Sequence, residues 1–371
     1  MYKISIEKKR LHFKQPAGTS RGIYTTRDIW LIKLASDKIP GRLGIGECAP
    51  LPDLSCDASD DFDERLLELC SIFKQNGRID YSLMRPYPSA LFGLETALLN
   101  LENGDKLFDT PFSRGEIGIP INGLVWMGSF DEMNKRIEDK LSEGFRCVKL
   151  KIGAIDFDSE MTLIKSIRKR YSKSAIELRV DANGGFTAGD AMSRLEELSK
   201  YDIHSIEQPI RQKQWHEMSY LCANTPVPIA LDEELIGVNI PKMKDDLLDF
   251  IKPQYIVLKP TLHGGMKGTR EWIEKSRLRN VGSWITSALE SSVGLSAIAQ
   301  LTSDIYGNDI TMAQGLGTGA LFADNLPSQT EIRGDKLWMT GKKCVLPREV
   351  SSTKEMRRRT PRSGERSNNE W

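Results

Sequence analysis

Long hydrophobic runs are absent from this sequence of 371 residues. No apolar stretch approaches the ~20 residues that an α-helix needs to cross a bilayer. The first residues, Met1 to Ile6, alternate like a strand and lack the apolar segment of a signal peptide. The formal net charge is +1, so no overall electrostatic field favours nucleic acid, an anionic membrane or an acidic partner. We therefore expect a cytoplasmic protein without nucleic-acid or membrane partners.

Paired cysteines and clustered histidines are also absent. The six cysteines are scattered and form no C-x-x-C pair, which disfavours a disulfide framework or a zinc site and predicts free thiols. The four histidines match no metal-binding or catalytic-triad spacing. A glycine-rich phosphate loop, a G-x-S-x-G elbow and a dinucleotide fingerprint are missing as well. Any chemistry must therefore rest on other side chains.

The first 115 residues or so predict a small α+β domain, because strands are followed by helices. A polar turn is expected at residues 15–22, and a loop rich in glycine and proline at residues 44–52. The strands are indicated at Tyr2–Lys14 and Trp30–Ala35, and the helices at Phe62–Gln75 and Ser89–Leu101.

Strands and helices alternate from residue 116 to about residue 319, which predicts a second domain. Residues from about 320 to 347 are expected to return and complete the first domain, with Glu331-Ile332 and Leu337–Thr340 as a short hairpin. Residues 351–371 form a basic tail that includes Arg357-Arg358-Arg359. Such a tail either grips RNA or phosphate or is a solvated, disordered end; the second interpretation is favoured because no aromatic residue interleaves the arginines.

Charged residues end, or nearly end, successive predicted strands in the middle of the chain. They are, in chain order, Lys149, Lys151, Asp181, Glu207, Asp232 and Lys259. The steps from Lys151 onward are about 25–30 residues, the length of one strand, one helix and two short loops. In a parallel βα barrel the strands end at one face, where the active site lies. The pattern predicts a βα barrel whose mouth gathers three carboxylates and two or three lysines.

Lys149 and Lys151 lie two residues apart on one strand, so their side chains face the same way. If that face is the barrel interior, like charge and desolvation lower a lysine pKa toward that of a general base. Alternatively the strand lies at a sheet edge, both lysines are solvated and Leu150 points inward. The charged residues downstream favour the interior. Arg179, on the same face as Asp181, either pairs with the acids of the site or forms a simple ion pair.

Asp181, Glu207 and Asp232 suit a divalent cation, because Mg²⁺ prefers hard carboxylate oxygens and keeps places for water or substrate. Each acid alone could equally be a helix N-cap. Asn183 places a further oxygen two residues after Asp181, before two glycines. The run Asp232-Glu233-Glu234 crowds three acids, which repel one another unless a cation is near. Both features favour the metal site over capping.

Lys259 belongs to the sixth barrel strand if Lys151 belongs to the second, and these strands lie opposite one another in an eight-stranded barrel. A lysine on each side of a substrate suits removal of a proton α to a carboxylate. Alternatively Lys259 is a surface residue. Further on, Ser291, Ser292 and Gly294 open a helix whose N–H groups either hold a second substrate carboxylate or take part in ordinary capping.

These motifs resemble the enolase superfamily, in its muconate lactonizing subgroup, where a lysine base works with Mg²⁺. Within it the chain is similar to the o-succinylbenzoate synthase family over residues 14–22, 285–294 and 315–319. The resemblance implies an α/β fold, a modified (β/α)7β TIM-like barrel with an α+β capping domain. The residues that bear it are Lys149-Leu150-Lys151, Asp181-Ala182-Asn183, Glu207-Gln208-Pro209, Asp232-Glu233 and Lys259-Pro260.

The resemblance also implies a lyase. The family reaction is the syn-dehydration of 2-succinyl-6-hydroxy-2,4-cyclohexadiene-1-carboxylate, a small dicarboxylate, to o-succinylbenzoate in menaquinone biosynthesis. By resemblance Lys151 removes the α-proton, Lys259 stabilises the enediolate, and Lys149 supports the substrate carboxylate and lowers the pKa of Lys151. The implied ligands of Mg²⁺, with Mn²⁺ as a substitute, are Asp181, Glu207 and Asp232. Substrate contacts are expected at Ser20, Arg21, Asn183, Ser291, Ser292 and Gly294.

Two other functions share these motifs. Racemases of N-acylamino acids and dipeptide epimerases use the same frame, but the Asp-x-Asp motif of dipeptide epimerases is not found at residues 313–318, which favours the synthase. A non-catalytic barrel protein is the third alternative; it should have lost at least one charged position, and none is missing. The sequence leaves the oligomeric state open.

Overall fold

The computed structural model describes residues 1–19, 22–125, 129–153 and 156–342. Its N-terminal part, here called the cap, is a three-stranded antiparallel sheet followed by three helices. Its elements are β1 (Tyr2–Thr19), β2 (Gly22–Ser36), β3 (Ile39–Cys48), α1 (Phe62–Asn76), α2 (Tyr81–Met84) and α3 (Pro88–Asn103). The predicted α+β class and both predicted helices are confirmed. The basic tail at residues 351–371 lies outside the described residues.

Two segments of the cap differ from the sequence prediction. Part of the expected turn at residues 15–22 extends the β1–β2 hairpin, in which Ala17 pairs with Tyr24. Gly44 and Gly46, expected in a loop, lie inside β3, where α3 rests directly on the strand: a Cβ on Gly46 would lie 1.9 Å from the carbonyl oxygen of Gly93. These glycines serve close packing, which our turn-based interpretation did not consider.

The C-terminal part is a parallel βα barrel. After β4 (Ile119–Pro120), seven strands form one sheet in chain order: β5 (Gly123–Val125), β6 (Cys147–Lys151), β7 (Glu177–Asp181), β8 (Ser205–Glu207), β9 (Ile229–Leu231), β10 (Tyr255–Leu258) and β11 (Gly282–Ile285). The helices that follow them are α4 (Phe130–Ser142), α5 (Phe157–Arg170), α6 (Ala191–Ser199), α7 (Trp215–Asn224), α8 (Pro241–Ile251), α9 (Gly265–Arg277) and α10 (Ser292–Tyr306).

Gln314 and Gly315 close the barrel. The backbone carbonyl of Gln314 accepts a hydrogen bond from the N–H of Asn122, just before β5, at 3.0 Å, and the N–H of Gly315 donates to the carbonyl of Ile285, in β11, at 2.8 Å. The bridges on both sides are parallel, so this short segment takes the eighth strand position. The predicted modified (β/α)7β barrel is confirmed.

The barrel strands are buried on both faces, as parallel strands covered by helices must be. In β6, Val148 and Leu150 join the apolar core between strands and helices. The alternate residues Lys149 and Lys151 point the other way, into the barrel interior. The edge-strand alternative for these lysines is therefore wrong.

The chain returns to the cap after the barrel. A hairpin of β12 (Thr330–Arg333) and β13 (Lys336–Met339) confirms the predicted one and pairs with β4. Just before it, the carbonyl of Leu321 accepts from the N–H of Lys14 in β1 at 2.8 Å. The return segment thus contacts both parts of the molecule; the exact domain boundaries stay a prediction. In the described part of the chain, no helix is long and apolar enough to cross a membrane.

Candidate active site

The strand ends gather the charged residues that the sequence placed at intervals. Strand register sets Lys151 beside Asp181, and Asp181 beside Glu207. Asp232 and Lys259 directly follow β9 and β10. The three carboxylate residues are at most 1% exposed. All five side chains therefore lie at the C-terminal face of the barrel, where βα-barrel enzymes place their chemistry.

Each lysine contacts a carboxylate of the site. The Nζ of Lys149 donates to Glu207 Oε2 at 2.7 Å and to Asp181 Oδ2 at 3.2 Å. The Nζ of Lys151 donates to the same Asp181 oxygen at 2.6 Å. On the opposite side of the barrel, Lys259 Nζ donates to Asp232 Oδ2 at 2.5 Å. Opposite charges at these distances attract one another and hold the lysine side chains against the carboxylates.

Neighbouring carboxylates raise the pKa of both Lys149 and Lys259. Burial acts to lower the pKa of Lys149, but Glu207 and Asp181 outweigh it and raise that pKa above its usual value. Burial is likewise outweighed at Lys259, where Asp232 raises the pKa. The expectation of a lowered lysine pKa weighed like charge and desolvation but not the neighbouring carboxylates, and it is wrong for Lys149. Lys149 and Lys259 both keep their positive charge.

Burial acts to raise the pKa of both Glu207 and Asp181, but the net shifts of the two carboxyl groups are opposite. Burial raises the pKa of Glu207, and although Lys149 opposes this effect, the negative charges of Asp181 and Asp232 add to it, so the pKa stays above its usual value. At Asp181 burial acts in the same direction, but Lys151 and Lys149 outweigh it and hold the pKa below its usual value. A raised pKa means that the surroundings do not fully neutralise the negative charge of a buried acid. A further positive charge beside Glu207 would therefore stabilise its ionised form.

Unpartnered oxygens support this conclusion. Glu207 Oε1, Asp232 Oδ1 and Glu233 Oε2 are buried without a hydrogen-bond partner, which is costly unless something else binds them. Within the described residues no three acidic, histidine or cysteine side chains already stand in a metal-binding arrangement, and the lysines hold several of the carboxylate oxygens. The free oxygens are hard ligands of the kind that Mg²⁺ prefers, so the donor set fits a divalent cation.

Asn183 connects Lys151 to Glu233. Its Oδ1 accepts from Lys151 Nζ at 2.6 Å, and its Nδ2 donates to Glu233 Oε1 at 2.9 Å. Asn183 has a φ of 45°, in the left-handed region that asparagine tolerates better than most residues. Both ends of its amide have protein partners, so we assign it to the orientation of Lys151, in addition to the substrate contact expected from the sequence.

A pocket opens above these residues, and both parts of the molecule line it. The barrel supplies Lys149, Lys151 and Lys259 together with small or apolar residues. The cap side contributes Tyr24, Leu51 and Leu54, and the remaining wall is formed by Leu124, Thr286, Ser287, Ala288, Leu289, Gly315, Gly317 and Thr318. Charged groups lie on the floor and apolar groups on the walls, an arrangement typical of small-molecule sites.

The start of α10 does not present a free anion site. Glu47 of the cap fills it: Ser291 N and Gly294 N both donate to the Glu47 carboxylate at 2.8 Å, and the Ser291 hydroxyl donates to it as well. Ser292 N donates to Asn325 Oδ1. The backbone N–H groups of Ser291, Ser292 and Gly294, where a second substrate carboxylate was expected, therefore all have acceptors within the protein. A helix N-terminus attracts any nearby anion, and here the protein provides its own.

Three further residues considered in the sequence analysis are Arg179, Ser20 and Arg21. Arg179 does not pair with the acids at the barrel mouth: its Nε donates to Glu177 at 2.7 Å and its Nη1 to the carbonyl of Ala313 at 2.9 Å. It is a structural residue inside the barrel. Ser20 and Arg21, expected to contact substrate, lie outside the described residues.

The sequence analysis missed Glu47 and Arg27. Both are almost fully buried, and both connect the cap to residues 288–294. No local motif marks them, because their partners in the barrel are more than 240 residues away in the chain.

Comparisons with known proteins agree with this geometry. Residues 17–101 match the family model "MenC, N-terminal domain", and residues 132–331 match "Enolase C-terminal domain-like". The chain is 45% identical to an o-succinylbenzoate synthase from Desulfotalea psychrophila, over 90% of this chain and 98% of that protein. The crystal structure of MenC from the same organism covers 91% of this chain and 99% of its own, with a TM-score of 0.78 and 41% identity.

Epimerases share the fold at lower identity. The L-Ala-D/L-Glu epimerase from Bacillus subtilis superposes with a TM-score of 0.75 over 92% of this chain and 97% of its own, at 20% identity. In sequence, the curated epimerase of that name and organism is 28% identical over 47% of each chain. The synthase is the more similar relative by a wide margin in both identity and coverage. The chain therefore belongs to the o-succinylbenzoate synthase family of the enolase superfamily, a family of lyases.

Proposed function

We propose that this protein dehydrates 2-succinyl-6-hydroxy-2,4-cyclohexadiene-1-carboxylate to o-succinylbenzoate in menaquinone biosynthesis, with Mg²⁺ as its cofactor. The observation that supports this most is the pocket floor, where Lys151 and Lys259 enter from the second and sixth barrel strands with carboxylates between them. A substrate held there has a nitrogen on each side of its reacting carbon. That is the geometry required for removal of a proton α to a carboxylate.

Asp181, Glu207 and Asp232 would hold Mg²⁺, since two of them have buried oxygens without a partner. Once bound, Mg²⁺ supplies positive charge against the negative charge that builds on the substrate carboxylate. Mn²⁺, which also accepts carboxylate ligands, would substitute for it.

Lys151 acts as the base in this proposal. The lone pair of its Nζ takes the proton from C1 of the ring, and the electron pair left behind becomes the C1–C6 double bond as the C6–O bond breaks. The proton on Lys151 then joins the departing hydroxide, which leaves as water. In a syn-elimination the C1 proton and the departing C6 hydroxyl lie on one face of the ring, so a single residue can remove the proton and protonate the hydroxide. The new double bond completes an aromatic ring and makes the reaction favourable.

Lys259 and Lys149 act as fixed positive charges. Carboxylate neighbours raise the pKa of each above its usual value, so neither is suited to accept a proton near neutral pH. Lys259 faces the ring from the side opposite Lys151 and stabilises negative charge on the deprotonated substrate. Lys149 supports the substrate carboxylate. The apolar wall, including Leu124 and Leu289, packs against the ring and excludes water.

Loss of the diene absorbance of the cyclohexadiene substrate tests this function. Rapid loss that requires Mg²⁺ and yields o-succinylbenzoate is the expected result. If the folded, Mg²⁺-treated protein gives no turnover, the proposal fails, and exchange of the α-proton of N-succinylamino acids in deuterated water becomes the next assay. Exchange without loss of water would identify the racemase alternative; neither reaction would identify a non-catalytic barrel.

A further inference from the structure

Arg27 is a buried arginine between the cap and the barrel. It lies on β2, is 2% exposed, and donates to four backbone carbonyls. Its Nη1 and Nη2 reach Pro50 O and Ala49 O, each at 2.5 Å. On its other side, Nε and Nη2 reach Leu289 O and Ala288 O, each at 3.3 Å. One guanidinium thus joins a cap loop to the barrel loop that follows β11.

Both loops line the pocket. Leu51 comes directly after the two cap carbonyls that Arg27 holds, and Ala288 and Leu289 are lining residues themselves. Leu289 has a φ of 63°, which a leucine seldom adopts, so this loop depends on its surroundings to keep its shape. The hydrogen bonds from Arg27 are part of those surroundings.

A lysine at position 27 could not donate to the same four carbonyl oxygens. A guanidinium presents five donors in a rigid plane, whereas an ammonium presents three from a single point. The four acceptors belong to two separate loops, so they require the wider group. Burial lowers the pKa of Arg27 below its usual value, and the nearby carboxylates of Glu290 and Glu47 act in the opposite direction.

We propose that Arg27 is a positioning residue for substrate specificity. It sets the gap between the cap loop at residues 49–51 and the barrel loop at residues 288–289, and thereby determines how tightly the pocket holds the succinyl arm. The reacting carbon belongs at the lysines on the barrel floor, so the arm extends toward these loops. This inference rests on the proposed function.

Arg27→Lys tests the proposal by steady-state kinetics and product inhibition. We expect KM for the cyclohexadiene substrate to rise about 10-fold or more, because hydrogen bonds from a charged group are lost, while kcat changes less than about 3-fold since the floor residues are untouched. The inhibition constant of o-succinylbenzoate should rise similarly. That of benzoate, which lacks the succinyl arm, should change little. A merely structural role would not separate the two inhibitors.

Arg85→Lys is the matched control. Arg85 also links the cap to the barrel, through the carbonyl of Asn239 and the carboxylate of Glu271, but these residues do not line the pocket. The Arg85→Lys variant should leave the ratio of the inhibition constants of o-succinylbenzoate and benzoate unchanged. An equal change in Arg85→Lys, or an unchanged ratio in Arg27→Lys, overturns the proposal. If Arg27→Lys does not fold, Arg27→Gln, which buries no charge, is judged by the same ratio.

Wild-type kinetics distinguish a failure of the proposed dehydration from a failure of the proposed role of Arg27. A wild type without dehydration activity contradicts the proposed function itself. An active wild type whose Arg27 variant keeps the inhibitor ratio contradicts only the role of Arg27.

Discussion

Lys151 is the residue on which the proposed chemistry depends. Replacing it in Lys151→Ala removes the base, and we expect turnover of the cyclohexadiene substrate to fall by about 10²–10⁴-fold or more, the usual contribution of a general base. The fold should persist, because the apolar face of β6 that packs against the helices, including Leu150, is unchanged. Absorbance assays and thermal unfolding measure the two effects.

Lys173→Ala is a suitable control for that variant. Lys173 is 73% exposed and only weakly paired with Asp202 at 3.4 Å, so its removal should leave both turnover and stability almost unchanged. Full activity in Lys151→Ala would remove the basis of the mechanism.

Glu233 fixes the orientation of the Asn183 amide. A carboxylate only accepts hydrogen bonds, so the NH₂ group of Asn183 must face Glu233 and its oxygen must face Lys151. In Glu233→Gln the new side chain can donate or accept, so Lys151 alone still selects the orientation of the Asn183 amide and the charged hydrogen bond to Glu233 is lost. We expect kcat to fall about 10-fold, in keeping with a lost charged hydrogen bond, with KM changed less.

Glu234→Gln controls for the loss of a neighbouring acid. Glu234 accepts from Trp215 Nε1 and from the N–H of Lys213, both at 2.8 Å, and does not contact Asn183. Its variant should keep most of the wild-type kcat. Equal losses in both variants would show that acid crowding matters here and that amide orientation does not.

Among the secondary-structure elements, the barrel could be predicted well because its unit repeats. Successive strands end in Asp181, Glu207 and, one residue later, Asp232, and each step covers one strand and one helix. A periodic signal of that kind survives errors of a few residues at any one boundary. The strand register that sets Asp181 beside Glu207 then follows from parallel pairing.

The contacts between elements could not be predicted in the same way. Glu47 reaches Ser291 across 244 residues, and Arg27 reaches Leu289 across 262. Nothing local in the sequence marks either partner. The anion site expected at the start of α10 had the correct physical basis, an unsatisfied helix N-terminus, but the protein's own Glu47 occupies it. Long-range packing thus decided between the two interpretations left open.

Helix α9 receives a similar carboxylate from the cap. Glu95 of α3 is buried and accepts from the N–H groups of Met266 and Lys267 in the first turn of α9. Burial raises the pKa of Glu95 to about 7 from 4.5, against those hydrogen bonds. The folded protein therefore binds this proton more tightly than the unfolded chain does. The contribution of Glu95 to stability is greatest below pH 4.5 and declines as the pH rises through 7.

Glu95→Gln removes this dependence. Between pH 5 and pH 8, we expect the free energy of unfolding of the wild type to fall by about 2.5 kcal/mol more than that of the variant, because the pKa of Glu95 is about 7 in the folded protein and 4.5 in the unfolded chain. Urea unfolding at both pH values measures the difference, and other titrating groups cancel because both proteins contain them. Parallel pH dependences would contradict the assignment.

At the scale of the whole molecule, the cap and the barrel contribute different kinds of side chain to the pocket. The barrel floor holds lysines and carboxylates, while the cap adds Tyr24, Leu51 and Leu54 to the pocket wall. An epimerase with 20% identity shares the fold with a TM-score of 0.75, so the architecture alone does not select a reaction. Selection therefore depends on the side chains that line the pocket, which is why a cross-domain contact such as that of Arg27 bears on specificity.

Binding of Mg²⁺ should stabilise the whole molecule. The carboxylates of Asp181, Glu207 and Asp232 belong to three different strand ends, so they come together only in the folded protein. A ligand that binds only the folded state stabilises it, by about 2.7 kcal/mol at 100 times its Kd. We expect the Tm of the wild type to rise on titration with Mg²⁺ and to return to its starting value with a chelator.

Asp232→Asn should lose most of this rise in Tm, because it removes one charged ligand and leaves Lys259 without its partner at 2.5 Å. The variant's own Tm will also differ, so the informative quantity is the change that Mg²⁺ induces. Asp202→Asn, an exposed position away from the barrel mouth, should keep the full change. If Mg²⁺ has no effect on the wild type, or an equal effect on Asp232→Asn, the three carboxylates do not hold the ion, and the unpartnered oxygens of Glu207 and Asp232 need another explanation.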